Sequence, residues 1–585
     1  MSSLTKVCEA VESFNRFVSQ QVKCARTDSK FRTEVLARWD KARAGIVHVE
    51  LPTGLRVPRL ALPQCDDPGE IARYLYGEGL PGEFPYANSA YREMYLDPLV
   101  EGESKPEEPT RLFSGLGLAE DTNARFHYLS RHQRTYRLST AFDGPTLYGL
   151  DSDEDGVFGK IGEGGVAVDT VEDMLRLYEG FPLGEPNCSV SMTISGPAPV
   201  LMAMYVASAR RRFGPGVVPQ LRGTVQADIL KEVQAQNEAI FPVEASLRFL
   251  CDMIDWTCAN MPRWYPVSIS GYHIAEAGAT PVQQAAYTLS NGFAYVDMLQ
   301  RRGLDIDRFG PRLSFFLDCG LDLEYLVLTR VCRKLWAIGM RDTFGAGPKA
   351  QLFKVHTQTS GRSLVAAGYK NNLTRTAVEL MLAYINATNS CHSNSADEPF
   401  TTPSEEWSRL ASHGQSILLE ETGLFRHMMN ALSGSPGMKL VEQALESAIL
   451  EEFRTIEEFG GVLAAMENRF QRTQIQASAH AAERQIHLGS RPIVGLTRYR
   501  GEEEEPPQVE LVRTSTLKKR QQLIRLKSFK RKNAGATPGV LSRLGAVVDG
   551  SGNVFEELLN AVEVCSLGQI TRCLQGRVGK FRPMV

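Results

Sequence analysis

The chain has 585 residues, of which 43% are hydrophobic and 23% are charged, and its 65 basic and 68 acidic side chains give a formal charge of -3. These values are typical of a soluble globular protein: they exclude global disorder and argue against nucleic acid as the main partner. The length allows about four average domains, or fewer if one is an α/β barrel, which can use about 250 residues.

The cysteine pattern and the apolar runs predict where the protein works. The 11 cysteines are scattered without a CxxC pair, which is typical of reduced thiols in the cytoplasm. The amino terminus MSSLTKVCEAVE has no apolar core of a secretory signal, and no apolar run reaches the roughly 18 residues that span a membrane. We therefore expect a soluble cytoplasmic protein with no membrane partner.

The first part of the chain predicts helix and then loop. Residues 1–60 have the pattern of a polar helical arm, and residues 61–110 are rich in proline, glycine and acidic residues. From about residue 135 to 395, short β-rich runs alternate with longer segments of helical periodicity. The runs are YRLSTAF (136–142), GVAVD (165–169), CSVSMTI (188–194), LRGTVQA (221–227), PVSISGYH (266–273), PRLSFFLD (311–318), FKVHTQTS (353–360) and TNSCHSNS (388–395).

Eight strand–helix units are the number that closes a parallel barrel, so the fold class is predicted as α/β, a (β/α)8 TIM barrel. An open doubly wound sheet is the alternative. The pattern divides the chain into an amino-terminal arm (1–84), the barrel (85–420), a helical extension packed on the barrel (421–500), and a charged linker with a C-terminal helical region (501–585).

Two charged runs lie near the C-terminus. The acidic run Glu502–Glu505 precedes two prolines and predicts a solvated linker. Residues 518–532 hold eight basic residues and no acidic one, but only one aromatic residue accompanies them. This composition favours a solvated helix face over a nucleic-acid site, with a docking surface for a partner as the alternative.

Polar side chains stand near the carboxyl ends of the predicted strands, where the chemistry of a barrel gathers. They are Ser139, Asp169, Thr193, Gln226, His273, His356, Gln358, His392 and Asn394. Asp169 is equally explained as a helix cap. His273 is the first candidate for a general acid or base, and the alternative is a hydrogen-bonded, half-buried histidine.

Several common motifs are absent from the sequence. It contains no phosphate loop, no GxGxxG after a strand, no GxSxG and no HExxH, so nothing indicates hydrolysis or a dinucleotide site. The ten histidines are dispersed, and we expect no metal site within this chain.

Six segments, in order, resemble the adenosylcobalamin-dependent acyl-CoA mutases, the large-chain family of methylmalonyl-CoA mutase and isobutyryl-CoA mutase. They are VSMTISGP, GTVQADILKE, SISGYHIAEAGAT, PRLSFF, HTQTSG and NSCHSNSADE, and the resemblance covers roughly residues 85–500. It implies a (β/α) barrel threaded by the tail of a CoA thioester. It also implies an isomerase that performs a radical 1,2-rearrangement of the carbon skeleton with adenosylcobalamin as cofactor.

The resemblance also implies roles for individual residues. His273 matches the histidine that hydrogen-bonds the thioester carbonyl, and Glu276 and Glu398 match carboxylates near the adenosyl ribose. Further polar residues around the reacting groups are Gln226, Gln358 and Asn394. Residues matching those that contact the CoA thioester are Tyr91, Met94, Ser139, Ser191, Thr193, Thr224, Arg312, Ser314 and Phe316.

Two positions bear on the substrate. Phe113 and Gln236 match the tyrosine and arginine that hold the free carboxylate in methylmalonyl-CoA mutases. Phenylalanine lacks the hydroxyl and glutamine lacks the charge that a buried carboxylate needs, so this pair implies an apolar acyl group, as in isobutyryl-CoA. Ala141 stands where the hydroxyisobutyryl relatives carry an aspartate. Methylmalonyl-CoA or another branched acyl-CoA is the alternative substrate.

Three departures from the family pattern affect cofactor and CoA binding. The sequence has no DxHxxG, the cobalamin-binding motif, so the resemblance implies a hetero-oligomer in which a small cobalamin-binding subunit supplies the histidine ligand to cobalt. The acidic segment LDPLVEGESKPEEP replaces a stretch that is rich in arginine and aromatic residues in the family. Because acidic residues repel the CoA phosphates, this segment is expected to bind CoA less well than the family's stretch does. The segment GLFRHMMNALSGSP also departs from the family. A catalytically silent structural subunit is therefore the alternative of a different class.

Overall fold

The computed structural model describes residues 3–99, 103, 109–500 and 511–582, and in it parallel strands alternate with helices through the middle of the chain. The strands are β1 (His48–Glu50), β2 (Arg56–Pro58), β3 (Leu112–Ser114), β4 (Tyr136–Ala141), β5 (Cys188–Thr193), β6 (Gly223–Val225), β7 (Trp264–Tyr265), β8 (Val267–Ser270), β9 (Leu313–Cys319), β10 (Val355–Thr359) and β11 (Ser390–His392).

The helices surround these strands and extend beyond them at both ends of the chain. They are α1 (Ser3–Thr27), α2 (Ser29–Ala44), α3 (Pro68–Arg73), α4 (Ala119–Ser130), α5 (Gly144–Leu147), α6 (Val171–Leu177), α7 (Ala198–Phe213), α8 (Ile229–Gln234), α9 (Val243–Asn260), α10 (Tyr272–Glu276), α11 (Pro281–Arg301), α12 (Ile306–Phe309), α13 (Leu328–Ile338), α14 (Asn372–Ile385), α15 (Glu405–Ser416), α16 (Pro436–Glu458), α17 (Val462–Glu467), α18 (Phe470–His487), α19 (Thr516–Asn533), α20 (Thr537–Asp549), α21 (Val554–Ala561) and α22 (Leu567–Val578). Short π turns cover Tyr74–Glu78, Gly339–Thr343 and Ile417–Glu421, and 3-10 turns cover Phe158–Lys160, Pro215–Gln220, Gly310–Arg312, Leu323–Leu326 and Tyr369–Asn371.

Two parallel sheets form the centre of the fold. Their strand orders are β3-β4-β5-β6-β7 and β8-β9-β10-β11, while β1 and β2 pair antiparallel outside them. Pro266 has no N–H to donate and separates β7 from β8. Hydrogen bonds join the sheets at both edges: Ser268 N–H donates to the Gln226 carbonyl (2.9 Å), and Arg111 N–H donates to the Cys391 carbonyl (3.1 Å). The architecture is thus mixed α/β with two parallel sheets, which is consistent with the predicted TIM-barrel type of fold.

Seven of the eight predicted runs contain a strand of these sheets, and one prediction was wrong. GVAVD (165–169) forms only a bridge between Val166 and Phe142 beyond the end of β4. The run then stops pairing because Thr170 begins a capping box that starts α6. The strands of these sheets that sequence reasoning missed are β3 and β7, whose three and two residues are too few for alternation to reveal.

The amino-terminal arm is helical as predicted in α1 and α2, but the prediction was wrong for β1 and β2, which pair as antiparallel strands, and the helices are not polar on all sides. Leu4, Val7 and Val11 of α1 are buried at spacings of three and four residues, which places them on one face of the helix. Leu4 N–H also donates to Glu457 at the end of α16. The predicted loop over residues 61–110 contains α3 and a π turn. Of the acidic segment 96–109, residues 100–102 and 104–108 lie outside the described residues, as does the run Glu502–Glu505.

The basic run becomes α19, and half of its charges form salt bridges with carboxylates between residues 120 and 163. Salt bridges join Lys518 to Asp121 (2.5 Å), Lys519 to Glu163 (2.7 Å), Arg525 to Glu120 (2.8 Å) and Lys530 to Asp151 (2.8 Å). The predicted solvated face is therefore only one side of this helix. None of the helices in the described part of the chain is both long and apolar enough to cross a membrane.

Candidate functional site

A cavity of about 170 Å³ lies among the parallel strands. It is lined by Tyr91, Arg111, Phe113, Arg137, Ser139, Ser191, Met192, Thr193, Thr224, Gln226, Tyr265, Ser268, Ser314, Phe316, Lys354, Val355, His356, Gln358, Asn389 and Ser390. Alternate residues of the same strands, such as Leu138, Val190 and Leu317, are fully buried in the hydrophobic core. The strand alternation thus separates a packed outer core from a polar interior.

Strand register brings the predicted small polar residues to one level of the cavity. Ser139 pairs with Ser191, and Ser191 pairs with Thr224, across β4, β5 and β6. In the other sheet, Ser268 of β8 pairs with Ser314 of β9. Barrel interiors are normally filled by large branched side chains, so hydroxyl side chains at this level leave room for a polar, elongated ligand.

His273 is the second residue of the short helix α10, which follows β8 after Gly271. Ser270 Oγ lies 2.6 Å from its Nδ1, and Gln226 Nε2 lies 3.2 Å from the same nitrogen. The rings of Tyr272 and Phe316 stand edge-on to the imidazole, with centroids at 5.4 and 5.6 Å. His273 does not itself line the cavity, but Gln226 and Phe316 beside it do.

The surroundings of His273 keep its imidazole neutral. Removal from solvent lowers the pKa of His273 well below its usual value of 6.5, and the charge of Lys231 acts in the same direction. A neutral imidazole carries one N–H donor and one acceptor nitrogen, so this residue is suited to donate one hydrogen bond to a ligand without carrying charge.

Gln358 and Asn394 form a second polar group at the carboxyl ends of the strands. Gln358 Nε2 donates to Tyr272 Oη (2.9 Å) and to Asn394 Oδ1 (2.7 Å), and Asn394 Nδ2 donates to the Thr359 carbonyl (2.8 Å). Tyr272 also stacks on Phe316, with ring centroids 4.7 Å apart. These contacts connect the cavity wall to the helix that carries His273.

Glu276, at the end of α10, is held by the turn after β10. Its Oε1 accepts hydrogen bonds from Gly361 N–H (2.7 Å) and Ser360 Oγ (3.3 Å). Burial nevertheless raises the pKa of Glu276 above its usual value. The carboxyl is a hydrogen-bonding group at the rim, close enough to influence the titration of Asp318 behind it.

A second cavity of about 410 Å³ adjoins the first, and Arg111 and Phe113 line both. Its wall includes Glu398, which is exposed, together with His392 and residues at the carboxyl ends of β3, β4 and β11. The ring of Phe113 lies 5.0 Å from that of His392. Phe113 therefore separates the hydroxyl-lined cavity from the larger one.

Three basic residues of the first cavity were not among the predicted site residues. Arg111 precedes β3, Arg137 is the second residue of β4, and Lys354 precedes β10, so all three stand at amino ends of strands. Arg111 donates to Ser191 Oγ (2.5 Å) and Lys354 donates to Tyr265 Oη (2.6 Å). No carboxylate lines this cavity within the described residues, so its interior suits an anion. The sequence did offer a signal for these three residues, because each of them stands at the start of a strand.

Six predicted site residues line neither cavity: His273, Glu276 and Asn394, whose contacts are given above, and Met94, Arg312 and Gln236. Met94 is fully buried in the hydrophobic core. Arg312 donates from Nη1 to the Met261 carbonyl (2.9 Å) and from Nε to the Arg308 carbonyl (3.1 Å) at the end of a helix. Gln236 Oε1 accepts from Lys231 Nζ, and its carbonyl accepts from Arg472. In the described residues, no group of three or more histidine, cysteine, aspartate or glutamate side chains is arranged to hold a metal ion.

Comparison with known proteins identifies the family. The family described as methylmalonyl-CoA mutase matches residues 61–580, which is most of the chain. The chain belongs to the methylmalonyl-CoA mutase family. A fused isobutyryl-CoA mutase of Geobacillus kaustophilus is 39% identical, with 99% of this chain and 60% of the relative covered. A fused isobutyryl-CoA mutase of Nocardia farcinica is 43% identical, with 91% of this chain and 51% of the relative covered.

Other members of the methylmalonyl-CoA mutase family match over more of their own length. The 2-hydroxyisobutanoyl-CoA mutase large subunit of Aquincola tertiaricarbonis is 34% identical over 86% of this chain and 88% of the relative. The chain spans about half the length of the fused relatives that it matches. All of these relatives carry the name of an acyl-CoA mutase, a class of isomerase.

Proposed function

We propose that this chain is the catalytic large subunit of an adenosylcobalamin-dependent acyl-CoA mutase that interconverts isobutyryl-CoA and n-butyryl-CoA. The observation that carries the proposal is the first cavity, which combines a layer of hydroxyl side chains with three basic residues and, in the described residues, no carboxylate. A CoA thioester has a matching shape and charge: a long polar tail that carries phosphates at one end and an acyl group at the other.

The strands would close into an eight-position barrel around the CoA tail. Counting β7 and β8 as one strand interrupted by Pro266 gives eight positions, and the hydrogen bonds at the two sheet edges support closure. Arg111, Arg137 and Lys354 at the amino ends would attract the phosphates. The acyl group would then lie at the carboxyl ends, near Gln226 and Phe316, where His273 is next to the cavity wall.

His273 would hydrogen-bond the thioester oxygen. Negative charge on this oxygen changes as the acyl group migrates, and a donor fixed in advance stabilises that change without having to reorganise. A neutral donor suits a rearrangement in which no proton is delivered to the product. The position of the His273 ring relative to the substrate would be held by Gln226, Gln358 and Asn394. These side chains would also exclude water.

The residues at the carboxyl ends fit the adenosyl group of the cofactor. Glu398 in the wall of the second cavity and Glu276 at the rim are acceptors for ribose hydroxyls, and the cavity of about 410 Å³ adjoins the proposed acyl site at Phe113. When bound, adenosylcobalamin supplies the radical chemistry that a carbon-skeleton rearrangement requires. The chain itself would bind the substrate, shield it from water and position its thioester.

A small cobalamin-binding subunit is the proposed partner in a hetero-oligomer. The printed sequence contains no DxHxxG, and one relative of similar length is named a large subunit. The names of the fused relatives are compatible with the same two parts in one chain. The partner would supply the histidine that binds cobalt.

Phe113 favours an apolar acyl group because its ring stands between the two cavities and offers no hydrogen bond. Gln236 gives weaker support for an apolar acyl group than its match to the family's arginine implied. Its side chain lines neither cavity and already accepts a hydrogen bond from Lys231. Methylmalonyl-CoA or another branched acyl-CoA remains the second candidate substrate. A silent structural subunit is disfavoured because two hydrogen-bonded pairs, His273 with Gln226 and Gln358 with Asn394, lie beside an open cavity.

The test uses the full chain in two steps. Calorimetric titration with isobutyryl-CoA, methylmalonyl-CoA and free CoA measures whether the cavity binds CoA compounds. Turnover is then measured with adenosylcobalamin and a small cobalamin-binding subunit of an isobutyryl-CoA mutase. Faster turnover of isobutyryl-CoA than of methylmalonyl-CoA is the expected result. Faster turnover of methylmalonyl-CoA would contradict the substrate assignment, and binding without turnover of any thioester would favour the silent subunit.

A further inference from the structure

Two side chains contact the same nitrogen of His273. Ser270 Oγ lies 2.6 Å from Nδ1 and Gln226 Nε2 lies 3.2 Å from it. Both contacts approach one side of the ring, so Nε2 is the nitrogen that neither of them occupies. A ligand oxygen that meets this imidazole therefore meets Nε2.

The chemistry of the two neighbours determines where the imidazole proton lies. The amide nitrogen of Gln226 is only a donor, so with this nitrogen facing Nδ1 the ring nitrogen must be the acceptor. A proton on Nδ1 would bring two N–H groups together. The Ser270 hydroxyl can donate or accept, and it donates when Nδ1 is bare. In the neutral ring the single proton then resides on Nε2.

The backbone of Ser270 is held in place by a buried carboxylate. Asp228 Oδ2 accepts from Ser270 N–H (2.7 Å), while Oδ1 accepts from Tyr295 Oη (2.6 Å) and from Lys231 N–H (3.3 Å). Ala227, between Gln226 and Asp228, adopts a left-handed backbone with φ of 49°. This turn lets two adjacent segments, one after β6 and one after β8, meet at His273.

The glycine that follows Ser270 allows the same turn to pack tightly. A Cβ at Gly271 would clash with Thr288 Oγ1 of α11 and with Leu317 of β9. Ser270 is fully buried, so its hydroxyl is not exposed to bulk solvent. The position of the Ser270 hydroxyl is thus fixed by packing, and its role as a donor is fixed by the acceptor Nδ1.

We infer that Ser270 is a positioning residue that keeps Nδ1 of His273 unprotonated and thereby fixes Nε2–H as the hydrogen-bond donor to the thioester oxygen. The part of this inference that concerns the thioester rests on the proposed function. The tautomer itself depends only on the contacts within the chain. Ser270 acts through His273 and does not touch the substrate.

The tautomer is measured directly by ¹⁵N NMR on the full chain with labelled histidine. The signals of His273 are identified by their loss in His273→Gln. We expect the wild-type ring to show its proton on Nε2 and an unprotonated Nδ1. Ser270→Ala should move a measurable fraction of the proton to Nδ1, and Ser270→Cys, with a weak S–H donor, should give a smaller shift. A wild-type ring protonated on Nδ1, or an unchanged tautomer in Ser270→Ala, would overturn the inference.

Kinetics give a second readout that a purely structural role would not produce. In the complex with cofactor and partner, Ser270→Ala should lower kcat about tenfold while KM for the acyl-CoA changes less than about twofold, because the hydrogen bond matters most in the transition state. Ser208→Ala is the matched control, since Ser208 is also buried and bonds only to a carbonyl of its own helix. Equal losses in the two variants would count against the inference. A correct wild-type tautomer without turnover of any acyl-CoA would instead contradict the proposed function alone.

Discussion

At the scale of single residues, His273 links the polar group around Gln226 to the proposed acyl site. Its replacement by alanine should lower kcat by about 10²- to 10³-fold, the typical cost of losing one fixed donor to a developing charge. His480→Ala on the exposed face of α18 is the control and should leave turnover unchanged.

The pH dependence of turnover gives a second prediction for His273. Because the pKa of His273 is lowered, its neutral form persists below pH 6.5, and activity should not fall with protonation of this ring near that pH.

Asp318 gives a prediction on stability. Burial raises the pKa of Asp318, with the charge of Glu276 acting in the same direction, and Tyr325 Oη donates to its Oδ2 (2.7 Å). A carboxyl whose pKa is raised by folding contributes stability below its unfolded pKa of about 3.9, and this contribution is lost as pH rises through the folded pKa.

Asp318→Asn should therefore flatten the decline in melting temperature between about pH 5 and pH 9, since the amide cannot ionise. Thermal unfolding followed by circular dichroism at several pH values measures this decline. Asp297→Asn, at a partly exposed salt bridge with Arg301, should keep the wild-type slope. If the melting temperature of Asp318→Asn falls with pH in parallel with that of the wild type, the carboxyl of Asp318 is ionised in the folded protein over this whole pH range.

At the scale of elements, the amino ends of three strands determine the charge of the first cavity. Arg111→Gln and Lys354→Met should each weaken CoA binding by about tenfold, the cost of a charged hydrogen bond to a phosphate, and should reduce the dependence of affinity on salt. Calorimetric titration with CoA at two ionic strengths measures both effects. Lys349→Met, on an exposed surface after α13, removes the same charge elsewhere and should change neither. Unchanged affinity in all three variants would contradict the proposed position of the phosphates.

The strands that sequence reasoning located and those it missed differ in length and surroundings. CSVSMTI contains the six-residue strand β5 and PRLSFFLD contains most of the seven-residue strand β9, and both strands are long enough for alternation to be recognised. The three residues of β3 are not, although they carry Phe113. GVAVD has the composition of a strand, but the capping box at Thr170 ends its pairing after one bridge.

The candidate site was predictable at one end of the strands and not at the other. Polar residues at carboxyl ends, such as His273 and Gln358, stand out because strand interiors are apolar. Arg137 and Lys354 at amino ends resemble ordinary flanking charges, and only the parallel arrangement brings them together. The side chain of Gln236 accepts from Lys231 and its backbone carbonyl accepts from Arg472, and the second of these is a tertiary contact that no local pattern contains.

At the scale of the whole molecule, a buried carboxylate in the loop after α5 binds two of the C-terminal helices. Asp151 is fully buried and accepts from Ser566 Oγ (2.7 Å) and Gly568 N–H (2.7 Å) at the start of α22. It also forms salt bridges with Lys530 of α19 (2.8 Å) and Arg572 of α22 (3.5 Å). A single side chain thus joins two helices that are about forty residues apart in sequence to the loop after α5.

Asp151→Ala should loosen this attachment, because it leaves a basic side chain and a hydroxyl without their buried acceptor. Removing one partner of a buried ion pair costs about 3–5 kcal/mol, whereas an exposed pair contributes at most about 1 kcal/mol. Hydrogen exchange should therefore accelerate across α19 and α22 in Asp151→Ala, with much smaller changes in β9 and β10. Asp549→Ala breaks an exposed pair with Arg577 within the same C-terminal region and should leave exchange in α19 close to that of the wild type. If both variants exchange alike, the C-terminal helices are held by their apolar contacts with α7 and α9, and the carboxylate contributes little.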